Sequence, residues 1–153
     1  MRVSHIPKGY HSITPYLIVK GANDAINFYK TVFGATEIMR IGAPGNKVGH
    51  AELKIGDSIV MLADEFPEMG HYGPQASGSP VGIMVYVEDV DAVAAKAVAA
   101  GAMEKQAVSD KFYGDRSGTY SDPFGHSWTI STHKEDVSPE EMRRRAEAAQ
   151  RQS

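Results

Sequence analysis

The chain has 153 residues, a formal net charge of -3 at pH 7, 42% hydrophobic residues and no cysteine. That length hides roughly 68–70% of the surface an unfolded chain exposes, enough for one ordinary core or two small modules sharing one, and no apolar run approaches the roughly 20 residues a bilayer requires. The missing thiols exclude a disulfide framework, a thiolate nucleophile and a zinc–thiolate site, and the acidic balance argues against a nucleic-acid partner, so a cytoplasmic protein with no membrane partner is expected.

Residues 1–12 show no period and read as a lead-in. Ile13 to Val19 alternates as a strand, with Pro15 near its start. Asn23 is expected to cap a helix whose apolar face is Ala25, Ile26, Tyr29, Val32 and Phe33, closed by Gly34. Strands follow over Thr36–Ile41, Gly49–Ile55 and Ser58–Ala63, the last two joined through Gly56 and Asp57. Asp64 to Pro80 is rich in Gly, Pro, Ser and Glu without a sustained period, a loop of the length that is usually functional or mobile.

The order then repeats. Gly82 to Glu88 alternates Ile83, Val85 and Val87 with Gly82, Met84 and Tyr86. Asp89 caps a helix carrying Val90, Val93, Ala94, Ala97 and Val98, and Gly101 closes it. A weak strand over Glu104–Val108 leads to a hairpin, Ser117–Ser121 and Ser127–Ser131, turning at Asp122-Pro123-Phe124-Gly125. Trp128 and Ile130 alternate there with Ser127, Thr129 and Ser131, one face core and the other polar. Ser138, Pro139 and Glu141 then begin a charged C-terminal helix, about 138–150, as cap, first helical residue and capping-box partner. Its Arg143, Arg144 and Arg145 sit among Glu140, Glu141 and Glu147 and read as a solvated face.

Val19 matches Val87, Gly34 matches Gly101, Glu37 matches Glu104 and Gly56 matches Gly125, at offsets of 68, 67, 67 and 69 residues. The steady offset indicates a duplicated β-α-β-β-β module, about 10–64 and 80–133, within one domain spanning 1–153. The fold class is therefore α+β.

Several stretches carry a resemblance to a known family: Ile13-Thr14-Pro15-Tyr16-Leu17, Ala25-Ile26-Asn27-Phe28-Tyr29 with Phe33-Gly34-Ala35, His50 through Asp57, Gly114-Asp115-Arg116, Asp122 through His126 with Trp128, and Thr132-His133 before Glu135-Asp136-Val137. Over about residues 10–147 the chain resembles the vicinal oxygen chelate superfamily, which includes glyoxalase I, extradiol dioxygenases, fosfomycin resistance proteins and bleomycin resistance proteins, and within it the PhnB-like branch. The resemblance implies two modules whose mixed sheets curl around a shared cavity, in a homodimer. It names no reaction, because one fold hosts many chemistries.

Metal-dependent relatives place a His, Gln or Glu on the first and last strand of each module. Carried over, those positions are Thr14, Met61 (or Val60, by the hairpin register), Gly82 and Thr129, none of them a suitable donor, so no metal and no cofactor is expected. His50 and Glu52, at i and i+2 on one strand face, are either a general acid/base pair, two metal ligands or simply a polar strand face. His126 and His71 read as turn and loop residues. Asp115 and Arg116 beside Tyr113 either bind an anionic or planar ligand or form an ion pair that fixes the loop. Tyr16, Tyr86 and Met84 are expected on cavity walls, with Leu17, Leu53, Val85, Trp128 and Ile130 toward the helices.

The candidate ligand-binding residues are thus Tyr16, His50, Glu52, Met61, Tyr86, Tyr113, Arg116 and Thr129. No catalytic residue is assigned. The expected function is binding of a small-molecule ligand without a metal; the alternative is a lyase, isomerase or dioxygenase with an unconventional site around His50 and Glu52. A methyltransferase is set aside, since no strand-linked Gly-x-Gly loop is present.

Overall fold

In the computed structural model, which describes residues 2–152, the β-α-β-β-β order occurs twice. The chain divides into two units, 2–79 with the turn residues Pro123–Gly125, and 80–122 with 126–152. The first holds β1 (Tyr16–Val19), α1 (Ala22–Phe33), β2 (Thr36–Ala43), β3 (Lys47–Ile55) and β4 (Ser58–Asp64). Its sheet runs β1-β4-β3-β2, with β1 parallel to β4 and the other pairs antiparallel. The second holds β5 (Gly82–Tyr86), α2 (Val90–Ala99), β6 (Met103–Asp110), β7 (Asp115–Ser121) and β8 (Ser127–His133), in the order β5-β8-β7-β6, followed by α3 (Pro139–Arg151). The expected α+β class, tandem modules and C-terminal helix are all present.

The repeat extends to the hydrogen-bond register. Tyr16 pairs with Met61 and Met84 with Thr129; Leu17 pairs with Leu62 and Val85 with Ile130. The offset is 68 residues for every member of these pairs. This register puts Met61, not Val60, in the row that contains Tyr16 and Glu52.

Strand parity sorts the side chains as period-two alternation requires. On the first sheet Leu17, Val19, Ala51, Leu53, Val60 and Leu62 are buried on the face that packs against Ala22, Ala25, Ile26 and Tyr29 of α1. On the second, Tyr120, Trp128 and Ile130 are buried with Val90, Ala94 and Ala97 of α2. Val98, expected on that apolar face, is exposed, because it follows Ala97 by about 100° around the helix.

Three expectations are corrected. Asn23 does not cap α1: the helix starts two residues earlier than that cap would place it, Gly21 is its N-cap residue, and the Asn23 side chain instead donates to the Asn46 carbonyl and accepts from Arg40. The acceptor at the helix start is Asp64, at the end of β4, whose Oδ1 takes the N–H groups of Gly21 and Ala22 at 3.0 and 2.9 Å. The first strand is also shorter than its alternating pattern and begins at Tyr16. Finally, the stretch after Asp64 has structure of its own: a 3₁₀ turn at Pro67–Met69 and isolated bridges pairing Phe66 with His71 and Gln75 with Gly78. Gly73 in this stretch approaches the Ile18 carbonyl so closely that a Cβ would lie 2.9 Å from it, so only glycine fits without a shift.

Asp89 caps α2 as expected, accepting from Ala92 N–H at 3.1 Å, and Ser138 caps α3, accepting from Glu141 N–H at 3.2 Å. The Glu141 carboxylate, however, goes forward to Arg144 and Arg145, and those two guanidinium groups hold its pKa down at about 2. Arg145 also reaches Glu135 and the Phe112 carbonyl, so α3 is tethered by charge while burying no residue. Among the described residues no helix is long and apolar enough to cross a membrane.

Candidate functional site

Each unit carries one polar cluster on the sheet face turned away from its helix. In the first, β1 contributes Tyr16, β3 contributes His50 and Glu52, and β4 contributes Met61, all in neighbouring register. The Tyr16 hydroxyl lies 2.8 Å from His50 Nδ1, and His50 Nε2 lies 2.7 Å from Glu52 Oε2. Glu52 Oε1 accepts from the hydroxyl of Tyr10, in the lead-in segment. Four side chains thus form one hydrogen-bonded row, Tyr10, Glu52, His50, Tyr16. Glu52 is 9% exposed whereas Tyr16 is 47% exposed, so the row runs from a buried carboxylate to an open phenol. Burial also pushes the Tyr16 phenol above its ordinary pKa.

The strand is irregular next to His50. On β2 Ile41 pairs with His50 and Gly42 pairs with Val48, so Gly49 is the extra residue of a bulge. A bulge bends its strand and re-aims the adjoining side chain. The ring of His50 stands beside that of Tyr16, centroids 5.5 Å apart.

Two cavities of the first unit flank the row. One, of about 350 Å³, is lined by His5, Tyr10, His11, Thr14, Glu52 and Met61 among others. The other, of about 600 Å³, is lined by Tyr16, Ile18, Gly49, Ala63, Phe66, Met69 and His71, a mainly apolar wall of the kind that takes small molecules. His71, expected to be a loop residue, is therefore both a bridge residue and part of a cavity wall.

In the second unit the face opposite α2 carries Met84, Tyr86 and Thr129, with Thr129 Oγ1 3.2 Å from Thr119 Oγ1. Tyr86 donates to Asp115 Oδ2 at 3.2 Å, and Asp115 Oδ1 accepts from His133 Nδ1 at 2.7 Å. His133 Nε2 faces Asp136 Oδ1, also at 2.7 Å. Burial, then the Asp115 carboxylate, raise the Tyr86 pKa; the hydrogen bonds to Asp115 and Asp136 raise that of His133. Tyr113 lies next to this cluster, its hydroxyl 3.5 Å from Ser117 Oγ.

Arg116 does not join it. As a strand neighbour of Asp115 it points to the other face, where Nε and Nη2 form a fork on Asp91 of α2 at 2.9 and 3.0 Å and Nη1 reaches Asp110 at 3.2 Å. The expectation that Asp115 and Arg116 act together is corrected: the guanidinium joins α2 to the sheet, and the partner of Asp115 is His133. Alternation along β7 makes the pair impossible on one face. His126 donates its backbone N–H to Asp122 Oδ1 at 2.9 Å, as a turn residue does. Tyr10 and His133 were missed: Tyr10 sits in a stretch without period, and only the i+18 spacing across the hairpin, Asp115 opposite His133, signals the second pair.

The four positions that the family resemblance assigns to metal ligands carry no fitting donor set. Thr14 and Met61 share a cavity wall in the first unit, and Gly82 and Thr129 share one face of the second sheet. A hydroxyl, a thioether and a bare backbone do not replace the anionic or imidazole donors such an ion requires. Among the described residues no group of three or more His, Cys, Asp or Glu side chains is arranged to hold one.

The His133 geometry gives a pH dependence with a definite sign. Its folded pKa lies above the unfolded value of about 6.5, so its contribution to stability is fully present below that value and is lost as pH rises through the raised pKa. Denaturant unfolding across this window is expected to show stability falling with pH, and a His133→Gln variant to lose that component. The side chain is half exposed, so the effect is small and shrinks with salt. An unchanged pH profile in the variant would remove His133 as its source.

Comparison with known proteins places these observations in context. A family model described as Glyoxalase/Bleomycin resistance protein/Dioxygenase superfamily matches residues 8–130. An uncharacterized protein of Mycobacterium tuberculosis (strain ATCC 25618 / H37Rv) is 38% identical over 135 residues, covering 86% of this chain and 79% of that protein. The crystal structure of an Arabidopsis thaliana gene product matches with a TM-score of 0.67 and 29% identity, covering 80% of this chain and 98% of the other. A Bacillus cereus PhnB protein, described as a putative 3-demethylubiquinone-9 3-methyltransferase, matches with a TM-score of 0.63 over 80% of this chain and 99% of its own; at 20% identity it speaks for the fold alone.

Proposed function

The chain belongs to the Glyoxalase/Bleomycin resistance protein/Dioxygenase superfamily, and from that premise we propose that it is a small-molecule-binding protein, acting without a divalent ion as a homodimer in the cytoplasm. The observation that carries the proposal is the face of the first sheet left uncovered by α1. Tyr16 stands half exposed there beside a mainly apolar cavity of about 600 Å³, with Glu52 and His50 as polar anchors behind it. Apolar walls with a few fixed polar groups are the usual make-up of such sites. Met61 completes the proposed set of contact residues in the first unit, and Tyr86, Tyr113 and Thr129 are proposed as contacts of a separate surface on the second. The unsuited donor set at Thr14, Met61, Gly82 and Thr129 supports binding without a metal. The homodimer rests on exposed Ile38, Met39 and Ile41 along the edge strand β2, an apolar rim that a partner subunit would cover. Sedimentation equilibrium is expected to return twice the chain mass at micromolar concentration, and only monomer would reject the dimer.

The binding test is a screen of planar and mixed apolar/polar small molecules by thermal shift, followed by titration of any hit. Wild type is expected to bind, and Tyr16→Ala to weaken binding at least about tenfold while keeping its unfolding free energy within about 0.5 kcal/mol, because the side chain is half exposed. Glu52 serves less well as a binding-only variant: buried and bonded to Tyr10 and His50, it affects stability too when truncated. Equal binding in the two proteins would sink the assignment of the site. One observation, His50 Nε2 at 2.7 Å from Glu52, favours a second reading in which the site also moves protons.

A further inference from the structure

We propose that Glu52, His50 and Tyr16 form a proton relay and that the cavity beside Tyr16 takes a flat, mainly apolar ligand with an acidic hydroxyl, a phenol or an enol, which it holds as the anion. The inference rests on the binding reading above and specifies its ligand.

The direction of the relay follows from what each atom is able to do. A carboxylate only accepts, so Glu52 Oε2 takes the proton on His50 Nε2, and its other oxygen is already occupied by the Tyr10 hydroxyl. A neutral imidazole carries one N–H. With that on Nε2, Nδ1 is an acceptor and takes the hydroxyl of Tyr16 at 2.8 Å. The Tyr16 oxygen keeps free lone pairs, and its side chain is part of the cavity wall. A ligand hydroxyl donating to that oxygen would stand at the head of a chain that ends on a buried carboxylate.

Proton transfer then balances without any further reagent. The ligand O–H bond breaks as its proton passes to the Tyr16 oxygen, while the proton of Tyr16 passes to His50 Nδ1. The products are a ligand oxyanion accepting from Tyr16 O–H, and an imidazolium between Glu52 and Tyr16. Net charge is unchanged, and the cation that forms already has its counter-ion at 2.7 Å. Burial favours this, because a carboxylate removed from water interacts more strongly with a neighbouring cation. The other groups near the row are His5, His11 and Tyr10 on the Glu52 side and His71 on the cavity side, with Lys47 over the Phe66 ring at 5.0 Å. None of these is an anion that would oppose an oxyanion at Tyr16.

The cavity selects the rest of the ligand. Ile18, Ala63, Phe66 and Met69 give the cavity a mainly apolar wall, to which Gly49 adds no side chain. A ring lies flat against such a wall, and a hydroxyl on its edge reaches Tyr16.

The probes are 4-nitrophenol, whose ionised form has its own absorption band, and 4-nitroanisole, the same ring with the hydroxyl methylated. Wild type is expected to bind both and to lower the half-ionisation pH of bound 4-nitrophenol by at least about one unit, a tenfold change. In Tyr16→Phe, which keeps the ring, and in His50→Gln, bound 4-nitrophenol is expected to ionise as it does in free solution. Binding of both probes with no shift in wild type, or a shift that survives in Tyr16→Phe, overturns the relay and leaves the binding reading standing. Failure of both probes to bind overturns the binding reading, and the relay with it. Should a variant fail to fold, the wild-type comparison of the two probes still decides.

Discussion

Replacing Trp128 with alanine is expected to lower stability by about 3–5 kcal/mol, the range for deleting a large buried aromatic side chain. The residue is 2% exposed, in the centre strand β8, opposite Tyr120 on one side and Ile83 on the other. Its indole Nε1–H donates to Asp122 Oδ2 at 2.9 Å, and Asp122 is itself buried at the hairpin turn. Truncation therefore leaves a cavity and takes a donor from a buried carboxylate. Trp128→Phe separates the two effects: it fills most of the volume and removes only the donor, so about 1–3 kcal/mol is expected. Guanidinium unfolding followed by circular dichroism measures both, since the alanine and phenylalanine variants lack the single tryptophan as a fluorescent reporter. A loss below about 1 kcal/mol for the alanine variant would mean that this side chain is not core.

The second large effect is expected at Asp64. Its two oxygens accept three backbone N–H groups, those of Gly21 and Ala22 at the start of α1 and that of Val48 on β3, the last at 2.7 Å. One carboxylate thus binds helix, central strand and its own strand together, and its negative charge sits at the positive end of the helix dipole. Asp64→Ala leaves these donors without an acceptor, and about 3 kcal/mol or more is expected to be lost. Asp64→Asn should be intermediate, because its amide keeps one acceptor oxygen but turns a donor toward another donor. Thr132, 68 residues later in sequence, occupies the same place in the second unit. Its hydroxyl accepts from Val90 N–H at 2.9 Å and donates to the Val87 carbonyl at 2.8 Å. With one neutral acceptor in place of a carboxylate, Thr132→Val is expected to lose only about 1–2 kcal/mol. Equal losses at Asp64 and Thr132 would show that the charge and the third donor contribute nothing.

Most of the architecture is legible in the amino-acid sequence. Alternation identified the strand faces, so that Leu17, Leu53, Trp128 and Ile130 are on the buried side and Tyr16 and Tyr86 on the other. Asp89 and Ser138 were found as caps because each acts on the helix that immediately follows it. The cap of α1 was not, since Asp64 acts from 42 residues away and nothing near it in sequence differs from an ordinary strand end. The site shows the same division. His50 and Glu52 were paired by their i, i+2 spacing, whereas Tyr10, which completes the row, belongs to a segment with no pattern at all.

What the sequence by itself determined is the order of elements, their duplication and which side of each strand is apolar, because period and turn chemistry act over a few residues and are written in the chain locally. Only the tertiary structure decided which polar groups meet: Arg116 with Asp91 rather than Asp115, Asp115 with His133, Glu52 with Tyr10, Met61 rather than Val60 beside Tyr16. The physical reason is that a carboxylate or a guanidinium takes whichever partner the packing of strands and helices brings within about 3 Å, and that packing is set by apolar faces, which do not specify which polar residues are placed together.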